Sequence, residues 1–127
     1  DNPERSIEKY KNIFKLYPES KYTDNAIMKI AEYYYTKQLY IESSKWSKKI
    51  NLYYSNSEHI SRSLNIYMKT LMLTGKKDTA EFYMETFKKK YPEISYEDFQ
   101  MEKQNMKISK QKYTESFQNF LGLRPRN

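Results

Sequence analysis

The pair Tyr17-Pro18 returns after 37 residues as Tyr54-Ser55, and after 37 more as Tyr91-Pro92. Recurrence at a fixed interval constrains a fold more tightly than composition does, because each period has to be one structural unit that packs on the next. The same offset aligns Ser6, Ser43 and Ala80, all small, and Ile13, Ile50 and Phe87, all large. It also pairs Ile27 with Leu64, Ile30 with Tyr67, Ala31 with Met68 and Tyr34 with Leu71. Proline disfavours helical geometry at the residue before it, so Tyr-Pro reads as a helix stop. A small residue lets the two helices of a hairpin approach, and larger residues one and two turns later fill the space towards the neighbouring unit.

Two Gly and four Pro in 127 residues leave few places for tight β-turns and many long uninterrupted stretches, which predicts an all-helical chain. Only 38% of residues are hydrophobic, but 14 are Tyr, and large aromatics supply much apolar area each. Asn2-Pro3-Glu4 reads as a helix start, followed by Ile7, Tyr10, Ile13, Phe14 and Tyr17 at helical spacing. Thr23 or Asp24 is expected to cap a second helix that runs to about Lys37 with Ile27, Ile30, Ala31 and Tyr34 on one face. A turn at Gln38-Leu39 leads to a third helix, roughly Tyr40 to Tyr54, with Trp46 and Ile50 inward. A fourth follows Ser57, carries Ile60, Leu64, Tyr67, Met68, Leu71 and Met72, and stops at Gly75. A fifth runs from Lys77-Asp78 to Tyr91-Pro92 with Ala80, Tyr83, Met84 and Phe87 as its apolar face. A sixth is predicted from Tyr96 to about Phe120, with Phe99, Met106, Tyr113 and Phe120 seven apart as a narrow stripe. The expected divisions are a half repeat 3–18, repeats 23–55 and 60–92 within 1–94, a C-terminal helix 95–121, and a frayed tail 122–127.

The residues offer no catalytic constellation. There is no Cys, which removes disulfides, thiolate chemistry and most zinc sites. His59 is the one His and lies in a repeat junction, while Ser43 and Ser44 have no base within helical reach. Glu4 with Glu8, and Glu81 with Glu85, are helical neighbours without a His ligand beside them, and read as solvated faces. No Gly-rich loop is available to cradle a phosphate. The chain is therefore read as a non-enzyme, with no catalytic residues, no metal and no cofactor. The formal net charge of +7 comes with Lys and Glu interleaved along most of the chain, the pattern of a solvated helix surface. No apolar run approaches the ~20 residues of a membrane span. The sequence opens at Asp1 without Met or a signal-peptide pattern, so a fragment is expected, with any signal, lipid attachment or half repeat lying upstream.

The stretch Leu64, Tyr67, Leu71, Gly75, Ala80 and Pro92 resembles the tetratricopeptide repeat family: helix, turn, helix, a small residue in the second helix and Pro after it. The resemblance covers about residues 4 to 92. It departs from the family where Ser6 and Ser43 replace the usual Ala, where Met68 sits at a small-residue position, and where Ser55 takes the Pro place. It implies an all-α, helical-hairpin solenoid of about six helices, the last a cap. The period of 37 with Tyr17-Pro18-Glu19-Ser20-Lys21-Tyr22, then Ala26 and Ala31-Glu32-Tyr33-Tyr34, is similar to bacterial envelope proteins of this family. Among these are the β-barrel assembly lipoprotein and the Tol–Pal coordinator. That similarity implies a periplasmic or outer-membrane-associated scaffold whose partner is another envelope protein, with membrane association through an upstream anchor.

Stacked hairpins present a concave surface lined mainly by the first helix of each pair. Helical spacing places Asn25, Met28, Glu32 and Tyr35 there on one helix, and Arg62, Asn65, Lys69 and Met72 on the next. Tyr, Arg and Met are favoured in binding patches. Glu32 and Lys69 stand where Asn would be needed to grip a C-terminal carboxylate, so chaperone-tail binding is not expected. The first helix, lacking a hairpin partner, is expected to expose Ile7, Tyr10 and Phe14 and so to offer a homodimer contact. The alternative function is binding of a polyanion or an anionic membrane surface through Lys103, Lys107, Lys110 and Lys112 of the last helix. Nucleic acid is not the expected partner, because the basic run lacks interleaved aromatics and any nucleic-acid motif.

Overall fold

The computed structural model describes residues 2–94, so the predicted helix 95–121 and the tail 122–127 lie outside the described residues. The first helix, α1 (Pro3–Leu16), starts as its sequence dictates. Asn2 Oδ1 accepts a hydrogen bond from the Arg5 N–H at 3.2 Å, and Pro3 and Glu4 occupy the first turn. Four more helices follow: α2 (Thr23–Thr36), α3 (Tyr40–Tyr53), α4 (Ile60–Leu73) and α5 (Lys77–Phe87). The described residues contain no strand.

The interval of 37 holds in the main-chain hydrogen bonds. The N–H groups of Tyr17, Tyr54 and Tyr91 donate to the carbonyls of Ile13, Ile50 and Phe87 at 2.8, 2.9 and 2.8 Å. Those of Ser20, Ser57 and Ile94 then return to the carbonyls of the same three tyrosines. Tyr17 and Tyr54 share one backbone conformation, with φ −134° and ψ 58° against φ −133° and ψ 55°. The hairpin turns match as well. Leu39 and Lys76 donate to Tyr34 and Leu71, while Gln38 and Gly75 donate to Tyr35 and Met72. These paired bonds close a helix around a left-handed residue. That residue is Gly75 at φ 81° in the second hairpin, but Gln38 at φ 62° in the first.

Consecutive helices pack on each other, most extensively α2 with α3 and α3 with α4, and α2 also reaches α4. The aligned small residues do what the alignment predicts for the two complete hairpins. Ser43 is fully buried and its Oγ donates to the Ala31 carbonyl at 2.8 Å, tying α3 to α2. Ala80 is likewise fully buried. Ser6 is exposed. The core gathers Ile27, Met28, Ile50, Leu64, Met68 and Met72 with their neighbours.

Two expectations about the N-terminal half need correcting. Neither Thr23 nor Asp24 caps α2: the cap position is Tyr22, with no side-chain cap bond. Thr23 Oγ1 donates instead to the Tyr17 carbonyl, and Asp24 accepts from the Ser57 hydroxyl at 2.6 Å, so both side chains tie repeat junctions together. Ile7, Tyr10 and Phe14 do not form an exposed apolar surface. Ile7 is 5% exposed, and Tyr10 and Phe14 are half-buried, because α1 lays this stripe inward. The Phe14 ring meets Trp46 of α3 edge-on at 5.7 Å.

Candidate partner-binding surface

The helices α2 and α4 are the first members of the two hairpins and touch each other past α3. Both are amphipathic, with Ile27, Ile30 and Ala31 buried on α2 and Leu64, Tyr67, Met68 and Leu71 on α4. Residues opposite these stay accessible. Asn25 and Arg62 are exposed; Glu32, Tyr35, Asn65 and Lys69 are half-buried. Two residues expected on this surface are not on it. Met28 is 0% and Met72 1% exposed, and both belong to the core. The reason is that α4 is packed by α2, α3 and α5, so a wider arc of each first helix is enclosed than its main apolar stripe.

The structure joins two residues that the sequence treated separately. The Arg62 guanidinium donates to the Glu32 carboxylate, forming an ion pair across α2 and α4. Both side chains remain partly exposed, so solvent and salt screen the pair. The 37-residue offset hid it, since that offset matches Glu32 with Lys69 rather than with Arg62. Opposite charges on the outer sides of successive first helices were the readable signal. Tyr35 meets Tyr40 at the start of α3 edge-on, with ring centroids 5.5 Å apart.

Along α4, Asn65 stands between Arg62 and Lys69 at helical spacing. Its Oδ1 is buried without a hydrogen-bond donor, the one such side-chain atom among the described residues. An unsatisfied buried acceptor costs about 1–3 kcal/mol. Arg62 to Lys69 spans about 10 Å of helix, the length of about three extended residues. Guanidinium, amide and ammonium therefore follow one another along one side of α4. The basic residues Lys103, Lys107, Lys110 and Lys112 lie outside the described residues.

Elsewhere the polar groups serve packing. Tyr67 is 8% exposed, and burial, then the neighbouring Tyr83, pushes its phenol up to about 12. Lys11 donates to the Tyr34 hydroxyl at 2.7 Å, and that bond raises its ammonium above the ordinary value. Burial, then the charge of Asp24, raises the Tyr54 phenol. His59 Nε2 lies 3.7 Å from Glu58 Oε1, its sequence neighbour. Among the described residues no three His, Cys, Asp or Glu side chains are grouped as metal ligands. None of the described helices is long and apolar enough to cross a membrane. No protein-family model, curated protein or solved structure matches the chain.

Proposed function

We propose that this chain is a tetratricopeptide-like helical-hairpin solenoid that binds a segment of another protein on the surface shared by α2 and α4. The observation that carries the reading is the Glu32–Arg62 ion pair across α2 and α4, with Lys69 two turns further along α4. A carboxylate on an extended segment competes with Glu32 for Arg62, and Lys69 supplies a second cation beside it. The 37-residue interval in the junction and turn hydrogen bonds supports the repeat architecture. The Tyr17–Tyr22 motif and its period support a scaffold role in a bacterial envelope.

The test is site-specific photocrosslinking in the native cell. A crosslinker placed at Asn25, exposed on α2, is expected to trap a discrete partner, while one at Lys9, exposed on α1, traps none. Arg62→Glu with Lys69→Glu is expected to abolish that product, and Lys107→Glu with Lys110→Glu to leave it. Loss on the second pair alone moves binding to the C-terminal segment and refutes the groove.

A further inference from the structure

The second helices of the repeats share an outward column. At the 37-residue offset Glu8 of α1, Lys45 of α3 and Phe82 of α5 stand in one place. The first two are charged, as a solvated column requires. Phe82 is 67% exposed, the most of any large apolar side chain among the described residues, and its ring has no polar tip to offer water. It is the outer end of a connected patch. Its ring meets Tyr83 edge-on at 5.8 Å. Tyr83 in turn stacks on Phe87 at 5.8 Å and meets the buried Tyr67 of α4 at 5.2 Å. Rings backed in this way by the core have little freedom left to lose on contact. Helical spacing sets Asp78, Glu85, Thr86 and Lys89 on the same side of α5 as Phe82, and all four are exposed. The main-chain bonds from Lys88 to Met84 and from Tyr91 to Phe87 carry the four-residue spacing past the end of α5, which keeps Lys89 in that column. Carboxylates therefore come first along this face and an ammonium last. Lys76, Lys77, Glu81 and Lys88 fall off it by the same spacing, and Lys90 stands at its edge, over the Tyr91 ring at 5.5 Å.

We infer that the outer face of α5 pairs two copies of this chain, antiparallel about a two-fold axis, separately from the α2–α4 surface. The order of the charges selects a second copy as the occupant. A two-fold axis sets one residue against another and the second against the first, so the contact is made twice. With the axis near Phe82, Asp78 of each copy lies against Lys89 of the other, and both ends of the contact carry an opposite pair. A parallel pairing sets Asp78 on Asp78 and Lys89 on Lys89. Antiparallel helix dipoles favour the same arrangement. At the centre the two Phe82 rings cover each other and remove from water the apolar surface that each copy exposes. Glu85 comes near its own copy, but at the rim, where water and salt screen it. One helix face makes an interface below about 1,200 Å², so the association is weak and concentration-dependent.

The experiment is sedimentation velocity of the full chain from about 10 μM to about 1 mM, where so small an interface forms. The mass is expected to rise from monomer to dimer and no further, because a two-fold contact closes. Phe82→Ser is expected to weaken the association about ten-fold or more. Asp78→Lys alone and Lys89→Glu alone are each expected to weaken it, since each sets like charges together at both ends. An equimolar mixture of these two variants is expected to associate again, as one-to-one heterodimers, because each end then carries an opposite pair. Both reversals oppose the dipole of α5, so thermal melts are recorded first; the mixture reports the contact alone, whatever either monomer loses. Arg62→Glu with Lys69→Glu leaves the mass unchanged, which separates this contact from partner binding. A chain that stays monomeric throughout overturns the inference. So does a dimer that survives Phe82→Ser, growth beyond the dimer, or a mixture that fails to regain what each variant lost.

Discussion

Tyr54 reaches from the end of α3 to the loop after α1, and its hydroxyl donates to the main-chain oxygen of Pro18 at 2.7 Å. Proline ends α1 and leaves a carbonyl that no helix of its own repeat uses; the tyrosine that ends the next repeat supplies the donor. Tyr54→Phe keeps the ring and removes the bond. It is expected to lower stability by about 0.5–1.5 kcal/mol, towards the smaller value because water reaches the site. Urea denaturation should show a lower midpoint at unchanged slope.

The left-handed turn residues Gln38 and Gly75 occupy the same register but differ in chemistry. Gly75 adopts φ 81° without steric cost, and no atom lies within 4 Å of where a Cβ would sit. Gly75→Ala therefore tests backbone strain without a clash, and is expected to cost about 1–2 kcal/mol. Gln38→Gly relieves the same strain at φ 62° but adds freedom to the unfolded chain. A net gain of at most about 1 kcal/mol is expected. Opposite shifts of the thermal midpoint for the two variants would confirm that the two turns are equivalent.

Ser43 sets the approach of α3 to α2 and leaves no room for a larger group. Ser43→Ala loses one bond to a carbonyl that sits within a helix, and is expected to cost about 0.5–1.5 kcal/mol. Ser43→Leu overpacks the contact and is expected to cost about 1–3 kcal/mol or more. Chemical denaturation of the pair separates size from hydrogen bonding, since only a size-limited contact ranks Leu below Ala.

Much of this frame was readable before any coordinates. Tyr17-Pro18, Tyr54 and Gly75 mark where α1, α3 and α4 stop, because each signal acts through local backbone geometry. By contrast, α5 ends at Phe87, four residues before the expected Tyr91-Pro92, and α2 ends at a turn without Gly or Pro. Ser43 and Ala80 were readable as contact points because only small residues recur there. Met28 was not, and Met72 read both as part of the apolar run of α4 and as a groove position. Periodicity reveals one buried face, whereas these helices are covered on a second side by each other, a tertiary fact with no local signature. The inward turn of Ile7 escaped for the same reason. The Glu32–Arg62 pair escaped because it crosses the repeat register instead of following it.

Alkaline pH should weaken the fold through tyrosine. Tyr67 is raised to about 12 by burial and by Tyr83, whereas an unfolded phenol ionises near pH 10. Above pH 10 the unfolded chain releases the proton first, so it binds fewer protons than the native state and stability falls as pH rises. The contribution is complete below about 10 and is lost between there and about 12. Tyr33 and Tyr54 are shifted in the same direction and add to the slope. Urea midpoints measured through this window should fall, and Tyr67→Phe should make the fall shallower. A slope unchanged by that substitution would place the phenol's ionisation elsewhere.

The Glu32–Arg62 pair separates stability from recognition. Because both side chains are partly exposed, breaking it with Arg62→Ala is expected to cost less than about 1 kcal/mol in the urea midpoint. Partner binding on the α2–α4 surface should respond more strongly. Removing the guanidinium leaves Glu32 facing an incoming carboxylate, so repulsion replaces attraction. Glu32→Gln frees the guanidinium from its competitor and is expected to tighten the same complex, with the gain shrinking as salt rises. Titration calorimetry with the crosslinked partner's segment checks the sign of each change. If both variants weaken binding equally, the pair serves as a strut that holds α2 to α4, and the carboxylate of the partner lies elsewhere.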